Sequence, residues 1–397
     1  MPGFELFSDE ERKEVQDVLE TGVLFRYNFE NNRNGHWKAA SFEKELCQKL
    51  NVGYCHLCAS GTAALNIALA SSGIGAGHEV IVPPFTFLAT IEAVLNAGAT
   101  PVFAEIDETL CLDPVDIENK ITDRTRAVLL VHMCGSMAHV DAIQKICKDK
   151  KILLIEDACQ SLGATFQGTS LGAFGAMGCF SFDYVKTITC GEGGAVITND
   201  KDLYTIAQAF ADHGHDHLGT DRGKDDHPVL GYNYRISELN AAVGVAQLRK
   251  LDQILEKQRK HKQIYKSILK DCENVKFRDV PDENGDSATF LSILLPNEAK
   301  TRNALSRLNE KNVAGAIYWY DNNWHYIRQW QHLKKLKWPA PLTVSLLNES
   351  FDYQNISLPV SDSIMARTLS FQIKLSDAET DIMEHANQLK QVLDSLN

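Results

Sequence analysis

Short apolar runs alternate with amphipathic stretches from about Val52 to Val196. The apolar runs are hydrophobic on both faces, which is typical of strands in a sheet that helices cover on each side. The predicted strands are Tyr54–Leu57, Glu79–Val82, Thr100–Ala104, Ala127–Val131, Lys151–Ile155, Met177–Ser181 and Ala195–Thr198. The helices predicted between them include Thr62–Ser71, Phe87–Asn96 and Val140–Lys148. This alternation predicts an α/β fold with a mostly parallel sheet flanked by helices.

Outside this region the pattern is mainly helical. Helices are predicted at Ser8–Glu20, Ser41–Leu50, Ser237–Ser267 and from Asp377 onward. Ser8 and Glu11 have the spacing of a capping box. We predict a large domain over residues 1–250, including the N-terminal helical segment, and a smaller C-terminal α+β domain over residues 251–397. The polar stretch His213–His227 is the best candidate for a mobile loop.

The composition is that of an ordinary globular protein, with 44% hydrophobic and 23% charged residues. The formal charge of −12 argues against a nucleic acid or an anionic membrane as the main partner. No secretory signal is visible, and no apolar run approaches the roughly 20 residues of a membrane span. The ten scattered cysteines suit free thiols in a reducing compartment. We therefore expect a cytoplasmic protein.

Two turns follow predicted strands, where open α/β sheets place their ligand groups. The sequence ASGTAAL opens a helix, so the amides of Gly61 and Thr62 are expected to point outward beside the positive helix end. That suits a phosphate, although a Ser-Gly-Thr turn is also a common helix cap. The sequence VPPFTF brings Phe85 and Phe87 to a strand end, where an aromatic ring can lie flat on a heteroaromatic ring. Packing in the core is the alternative for both rings.

Further segments carry ionisable and amide groups. Asp157 ends the apolar run of ILLIEDACQ, and a carboxylate there needs a partner such as a protonated pyridine nitrogen. Gln160 follows one turn later and can donate to a phenolic oxygen. Lys186 lies among apolar and small residues in SFDYVKTITCGEGG, a setting that favours an imine-forming amine. The last segment, GYNYRIS, contains Asn233 and leads into the predicted helix at Ser237–Ser267, which is expected to connect the two domains.

The motifs and their order along the chain resemble those of the DegT/DnrJ/EryC1/StrS family of sugar aminotransferases. They are SGTAAL, VPPFTF, EDACQ, SFxxxK with GEGG, and GYNYR. The resemblance extends from Val18 to about Leu375. It implies fold type I and pyridoxal 5'-phosphate as the cofactor, with no metal. Some family members carry histidine instead of the lysine and eliminate water. Because Lys186 is present here, the resemblance favours transamination.

The resemblance also implies a role for each site residue. Lys186 would bond to the cofactor and then act as general acid and base. Asp157 would pair with the pyridinium nitrogen, Gln160 would contact the phenolic oxygen, and Phe87 would stack on the ring. Asp183 stands where relatives often have histidine or an aromatic residue, and it either touches substrate or caps a turn.

The phosphate is implied to lie at the start of the first helix after the first strand. The resemblance assigns it to Gly61, Thr62 and Ser181. Asn233 would reach across a subunit interface to the phosphate of the neighbouring chain. A homodimer with shared active sites is therefore implied.

The implied reaction moves an amino group from L-glutamate to a sugar carbonyl. Stretches such as MPGFELF, FRYNF and DHGHDH look most similar to the 8-amino-3,8-dideoxy-manno-octulosonate (Kdo8N) aminotransferases. Those enzymes act on the C8 aldehyde of a 3-deoxy-octulosonate (Kdo) sugar for lipopolysaccharide. Such a carboxylate-bearing substrate needs a cation, for which Arg26, His215 and His325 are candidates. The alternative is a nucleotide-linked 4-keto-6-deoxy sugar 4-aminotransferase of the perosamine-synthase type.

Three other classes of protein fit the sequence less well. A zinc protein would use Cys55 and Cys58 with the histidines near position 215, but one CxxC without a second pair is a weak signal. A nicotinamide dehydrogenase needs G-x-G-x-x-G between its first strand and helix, whereas the glycines of SSGIGAG follow a helix with another spacing. A cofactor-binding regulator without turnover is disfavoured by an intact Lys186.

Overall fold

The computed structural model describes residues 3–219, 221–346 and 352–396. Its first nine strands are β1 (Tyr54–Cys58), β2 (Glu79–Val82), β3 (Thr100–Phe103), β4 (Thr125–Val131), β5 (Leu153–Asp157), β6 (Thr165–Phe166), β7 (Thr169–Ser170), β8 (Met177–Ser181) and β9 (Gly194–Thr198). Seven of them form one sheet in the order β1-β9-β8-β5-β4-β2-β3, and β6 pairs with β7 alone. Strand β9 is antiparallel to both neighbours, and the other pairings are parallel. The predicted mostly parallel α/β sheet is confirmed.

The start of β5 differs from the prediction and changes where its last residue lies. Lys151 ends the preceding helix with a φ of 56°, so extended backbone begins only at Leu153. The strand then continues through Asp157, which pairs with Val131 of β4 and Cys179 of β8. Asp157 is therefore held by the sheet itself rather than by the loop that follows it.

Nine helices surround this sheet within the described ranges: α1 (Asp9–Thr21), α2 (Lys38–Leu50), α3 (Gly61–Ser71), α4 (Ala89–Asn96), α5 (Pro114–Lys120), α6 (Val140–Lys150), α7 (Lys201–Ala211), α8 (Glu238–Arg249) and α9 (Leu251–Leu269). Side chains along the strands alternate between two hydrophobic clusters. In β9, Ala195 and Ile197 enter the cluster that contains α2 and α8, while Val196 enters the cluster that contains α3 and α4. Both faces of the sheet are thus covered, as the apolar strands predict.

Two helical predictions need correction. Helix α2 begins at Lys38 rather than Ser41, because the Glu238 carboxylate accepts hydrogen bonds from the amides of Lys38 (2.6 Å) and Ala39 (3.3 Å). The connector is two helices, α8 and α9, which meet at Lys250. The capping box of α1 is confirmed, with Ser8 and Glu11 bonded reciprocally.

The C-terminal part contains β10 (Lys276–Phe277), β11 (Phe290–Leu294), β12 (Ala316–Ile317), β13 (Thr368–Gln372), α10 (Glu298–Glu310), α11 (Gln331–Lys334), α12 (Thr343–Leu346), α13 (Pro359–Ala366) and α14 (Glu379–Asp394). Its strands form an antiparallel sheet in the order β10-β11-β13-β12. Its buried apolar residues divide between a third cluster and the core of the large sheet, which Trp319, Tyr326 and Trp330 join. The domain boundary at residue 250 stays a prediction. None of the helices in the described ranges has the length and apolarity to cross a membrane.

Candidate active site

Asp157 is a buried carboxylate at the end of β5 that lacks a cationic partner. Only 6% of its surface is exposed, and it forms no ion pair with any described residue. Its Oδ2 accepts a hydrogen bond from the hydroxyl of Thr90 on α4 (2.8 Å), and its Oδ1 accepts one from the amide of Cys159 (3.1 Å). These two donors orient the carboxylate but leave its charge uncompensated. A bound cation is therefore needed to offset the cost of burial.

The preceding residue, Glu156, points to the opposite face of β5 and is fully satisfied. Its carboxylate accepts hydrogen bonds from the amides of Gly172 (2.8 Å), Phe174 (2.7 Å) and Gly175 (2.7 Å). The ring Nε2 of buried His132 lies 2.9 Å from it. Glu156 thus organises the 172–175 turn, while Asp157 remains open to a ligand.

Lys186 lies in the turn that follows β8 and is half-buried. Its Nζ makes no hydrogen bond or ion pair with the described parts of the chain. The turn is stabilised by Asp183, whose carboxylate accepts from the amide of Val185 (3.1 Å) and whose carbonyl accepts from the amide of Lys186 (3.0 Å). That geometry fits the turn-capping interpretation of Asp183. The amine of Lys186 remains free to react.

The environment of Cys159 shows that Asp157 and Lys186 lie near each other. Burial raises the pKa of the Cys159 thiol well above its ordinary value, the Asp157 carboxylate raises it further, and the Lys186 ammonium lowers it. Both charges therefore act on the sulfur atom of one partly buried cysteine. Since Coulomb energy falls with distance, the free amine and the unpaired carboxylate both lie within electrostatic range of Cys159.

The start of α3 forms a cradle for an anion on the same side. The hydroxyl of Ser60 caps the helix by accepting from the amide of Ala63 (3.1 Å), which leaves the amides of Gly61 and Thr62 without partners among the described residues. A Cβ at Gly61 would lie 2.8 Å from the Cβ of Ser181 and 3.2 Å from its Oγ. Only glycine permits this close approach. Two free amides, a hydroxyl and the positive helix end suit a phosphate.

The two phenylalanines of VPPFTF divide between core and site. Phe85 is fully buried, whereas Phe87 keeps 39% of its surface exposed. The ring centroid of Phe87 is 6.0 Å from that of Trp324 and 5.6 Å from that of His325. The amide of Thr86 donates to the carbonyl of His325 (3.0 Å), and the amide of Leu88 donates to the carbonyl of Trp324 (3.2 Å). These backbone bonds hold the segment that contains Trp324 and His325 beside the VPPFTF turn. An aromatic wall therefore borders the site.

Gln160 is buried, with its Oε1 held by the amide of Cys134 (3.0 Å). Its Nε2 has no partner among the described residues and is available as a donor. Asn233 is exposed, and its Oδ1 accepts from the amide of Arg235 (3.3 Å). The carbonyl of Tyr234 accepts from the amide of Ala59 (2.8 Å), so Asn233 lies near the phosphate cradle of its own chain. Its role across a subunit interface stays a prediction.

The three cation candidates for a substrate carboxylate are not free. Buried Arg26 donates to Glu43 (2.6 Å) and to a backbone carbonyl, and the ring of His215 lies 3.1 Å from the carboxylate of Asp225. Burial, together with the nearby Lys186 ammonium, lowers the pKa of His325 to about 4, so its ring is neutral at pH 7. The described ranges contain no group of three His, Cys, Asp or Glu residues arranged to hold a metal.

The depressed pKa of His325 predicts a pH dependence of stability in the cofactor-free protein. The unfolded chain takes up a proton below the ordinary pKa of 6.5, whereas the folded protein does so only near pH 4. Folding stability is therefore lost as the pH falls from about 6.5 to about 4, by on the order of 3 kcal/mol. Urea unfolding at pH 7 and pH 4.5 of wild type and His325→Asn checks this prediction. Equal loss of stability in both proteins would contradict it.

Sequence reasoning missed residues that support the site rather than form it. Thr90 holds Asp157, and its hydroxyl lies 2.7 Å from that of Thr86, so an i,i+4 threonine pair was the available signal. Cys134 orients Gln160 through its backbone, which no side-chain pattern reveals. Trp324 and His325 reach the site from the C-terminal part, about 140 residues after Lys186.

The residues present fit pyridoxal phosphate. A free amine, an unpaired buried carboxylate, an amide donor, an exposed aromatic ring and an anion cradle lie around one place. These match an aldehyde, a pyridinium nitrogen, a phenolic oxygen, a ring face and a phosphate.

The sequence profile of the DegT/DnrJ/EryC1/StrS aminotransferase family matches residues 7–370. The chain is 32% identical to GDP-perosamine synthase of Vibrio cholerae over 355 residues, which cover 88% of this chain and 90% of that protein. It is 40% identical to GDP-perosamine synthase of Escherichia coli O157:H7 over 229 residues, 57% of this chain. The latter match spans 62% of that relative, less than two thirds of its length.

Solved structures give the same result. The crystal structure of 3-amino-5-hydroxybenzoic acid (AHBA) synthase has a TM-score of 0.82 and 28% identity, covering 97% of this chain and 96% of that one. Helicobacter pylori PseC, an aminotransferase involved in the biosynthesis of pseudoaminic acid, has a TM-score of 0.80 and 26% identity, covering 98% and 97%. The predicted fold type is confirmed. The chain therefore belongs to the DegT/DnrJ/EryC1/StrS aminotransferase family, whose members are pyridoxal-phosphate-dependent enzymes of fold type I.

Proposed function

We propose that this chain transfers an amino group from L-glutamate to a sugar carbonyl, with pyridoxal phosphate as cofactor and Lys186 as the catalytic lysine. The observation that carries the proposal is that the buried carboxylate of Asp157 at the end of β5 has no cationic partner among the described residues, while the half-buried amine of Lys186, in the turn after the neighbouring strand β8, has no partner among them either. A structural ion pair would have joined the two charges directly. Both groups therefore remain available to a ligand.

The groups that have no partner in the chain indicate which residue would hold each part of the cofactor. Asp157 would neutralise the ring nitrogen, and Gln160 would donate from its free Nε2 to the phenolic oxygen. Phe87 would cover the ring face. The phosphate would lie on the amides of Gly61 and Thr62 and beside the hydroxyl of Ser181. When bound, pyridoxal phosphate supplies an aldehyde that condenses with amines and a ring that withdraws electrons.

Lys186 is proposed to move protons during both halves of the reaction. Its amine has no partner among the described residues, so it can accept a proton from the donor's α-carbon and return it at the acceptor carbon. The Thr90 hydroxyl and the Cys159 amide hydrogen-bond to the Asp157 carboxylate and keep it oriented for this role. The neutral ring of His325 adds no competing positive charge beside Lys186.

For the acceptor we propose a nucleotide-linked 4-keto-6-deoxy sugar, the perosamine-synthase type of substrate. The similarity to two GDP-perosamine synthases supports this choice. A second support is negative: Arg26 and His215 are occupied by carboxylates, and His325 is neutral. A free sugar acid would find no unoccupied cation among these three candidates.

The C8 aldehyde of 3-deoxy-octulosonate (Kdo), aminated to Kdo8N for lipopolysaccharide, remains the second candidate. It rests on the sequence resemblance of stretches such as MPGFELF and FRYNF. No relative compared above has that activity in its name. The two acceptors differ in charge and in the presence of a nucleotide, so one assay separates them.

We further propose a cytoplasmic homodimer in which Asn233 of one protomer approaches the phosphate of the other. The support is the family resemblance, together with the exposed position of Asn233, which leaves its side chain accessible to a neighbouring protomer. Sedimentation velocity checks the assembly. A species of 44.2 kDa alone at micromolar concentration would contradict it.

The test of function incubates the cofactor-loaded protein with L-glutamate and either a GDP-linked 4-keto-6-deoxy sugar or the octulosonate aldehyde. Mass spectrometry follows replacement of the carbonyl oxygen by an amino group and a hydrogen. We expect the nucleotide sugar to be aminated, with an equal amount of 2-oxoglutarate formed. Amination of the aldehyde alone would transfer the proposal to the second candidate. If no 2-oxoglutarate forms with either acceptor, the proposed transfer of an amino group to these two sugars is contradicted.

A further inference from the structure

A short segment near the N-terminus contacts the backbone of Lys186. Residues Gly3–Leu6 form a 3-10 helix, called here the N-terminal strap. The amide of Gly3 donates to the carbonyl oxygen of Lys186 over 3.1 Å. No other donor reaches that carbonyl within the ranges that the structure describes. The strap therefore holds the peptide unit of the proposed catalytic lysine itself.

Gly3 fits this position because it lacks a side chain. A Cβ there would lie 2.8 Å from the Cα of Ile188 and 2.9 Å from the carbonyl oxygen of Thr187. Both are backbone atoms of the stretch that follows Lys186, so they cannot rotate away as a side chain would. An alanine at position 3 must therefore push the strap away from the turn that contains Lys186.

The strap also contacts Tyr184, which precedes Lys186 in the turn. The ring of Phe4 stacks on that of Tyr184, with centroids 4.7 Å apart and planes 15° apart. Even with this contact, Tyr184 keeps 56% of its surface exposed. The loop is thus held on both sides of the lysine, by a ring contact before it and by backbone contact at and after it.

The strap is itself anchored to distant parts of the chain. The carboxylate of Glu5 accepts hydrogen bonds from the amides of Leu375 (3.1 Å) and Ser376 (2.6 Å), which follow β13. The side chain of Lys250, between α8 and α9, donates to the carbonyl of Leu6 (2.9 Å). These bonds tie the strap to both the connector and the C-terminal part.

We propose that the N-terminal strap positions the amine of Lys186 by fixing its backbone, and that Gly3 and Phe4 are positioning residues for cofactor capture. Within the described residues, Asp183 accepts from the amides of Val185 and Lys186, and the loop closes through the bond from the Cys190 amide to the Phe182 carbonyl, but the carbonyl of Lys186 is bonded only by the strap. Without the strap, the lysine peptide opens more often and its amine samples more positions. The inference rests on the role of Lys186 proposed above.

The experiment begins with apoprotein, so that one arm needs no cofactor. Trypsin cleavage after Lys186 is timed by the appearance of fragments 1–186 and 187–397 in wild type and Gly3→Ala. Gly75→Ala is the matched control, since a Cβ at Gly75 meets its nearest atom only at 3.7 Å. We expect about tenfold faster cleavage in Gly3→Ala and no change in the control. The second arm records uptake of pyridoxal phosphate by its visible absorption, expected to be about tenfold slower in Gly3→Ala.

Phe4→Ala supplies a second variant if Gly3→Ala does not fold, with exposed Phe7→Ala as its control. We expect Phe4→Ala to shift both readouts in the same direction by severalfold. Cleavage and uptake rates equal to those of the controls would overturn the role of the strap. Uptake without any bond to Lys186 in wild type would instead overturn the proposed function, while the proteolysis arm would still decide whether the strap holds the loop.

Discussion

Replacing Lys186 with alanine is expected to abolish amino transfer, lowering kcat by about 10⁴-fold or more, while the fold persists. The amine stabilises no other group, because it has no partner among the described residues. The hydrogen bonds of the turn involve only the backbone of Lys186, toward Asp183 and Gly3. The variant also loses the charge beside His325, so the pKa of His325 should rise above about 4, while burial, the larger cause of the shift, still holds it below its ordinary value of 6.5.

The measurement combines 2-oxoglutarate release, thermal unfolding and NMR titration of His325. Lys148→Ala is the control, since Lys148 is an exposed residue of α6. Borohydride reduction of the loaded wild type, followed by peptide mapping, should place the cofactor on Lys186. Turnover that survives in the variant, or a label on another lysine, would remove the assigned role.

The sequence was sufficient to bring the main site residues together. Asp157 and Ser181 end two strands, and Gly61 opens the helix after a third, so a parallel sheet must place all three at one edge. Lys186 lies one short turn after the same edge. The positions of the motifs at the ends of strands are therefore enough to predict that they meet at one edge of the sheet.

The sequence could not predict contacts that join distant parts of the chain. The start of α2 depends on Glu238, 200 residues away, whose carboxylate caps the helix in place of a local side chain. The aromatic wall depends on Trp324 and His325, which reach the site through backbone hydrogen bonds. Backbone bonds leave no residue pattern, so only the folded chain reveals them.

Replacing each of the two adjacent carboxylates of β5 by its amide should affect different properties, activity at Asp157 and stability at Glu156. Asp157→Asn is expected to lower kcat by about 10²- to 10³-fold, because the ring nitrogen loses its ionic partner. Its stability should change by less than about 1 kcal/mol, since an amide oxygen can still accept from Cys159. Glu156→Gln is expected to lower the free energy of unfolding by about 3 kcal/mol.

The difference follows from what each carboxylate contacts. Glu156 accepts three backbone amides and faces His132, so a glutamine NH₂ group would confront a buried donor. Asp157 has two donors and an open side, so asparagine fits it without a clash. Urea unfolding and steady-state kinetics on both variants separate the two effects. If Asp157→Asn lost stability but kept kcat, the carboxylate would be part of the scaffold, and the site would have to be placed elsewhere.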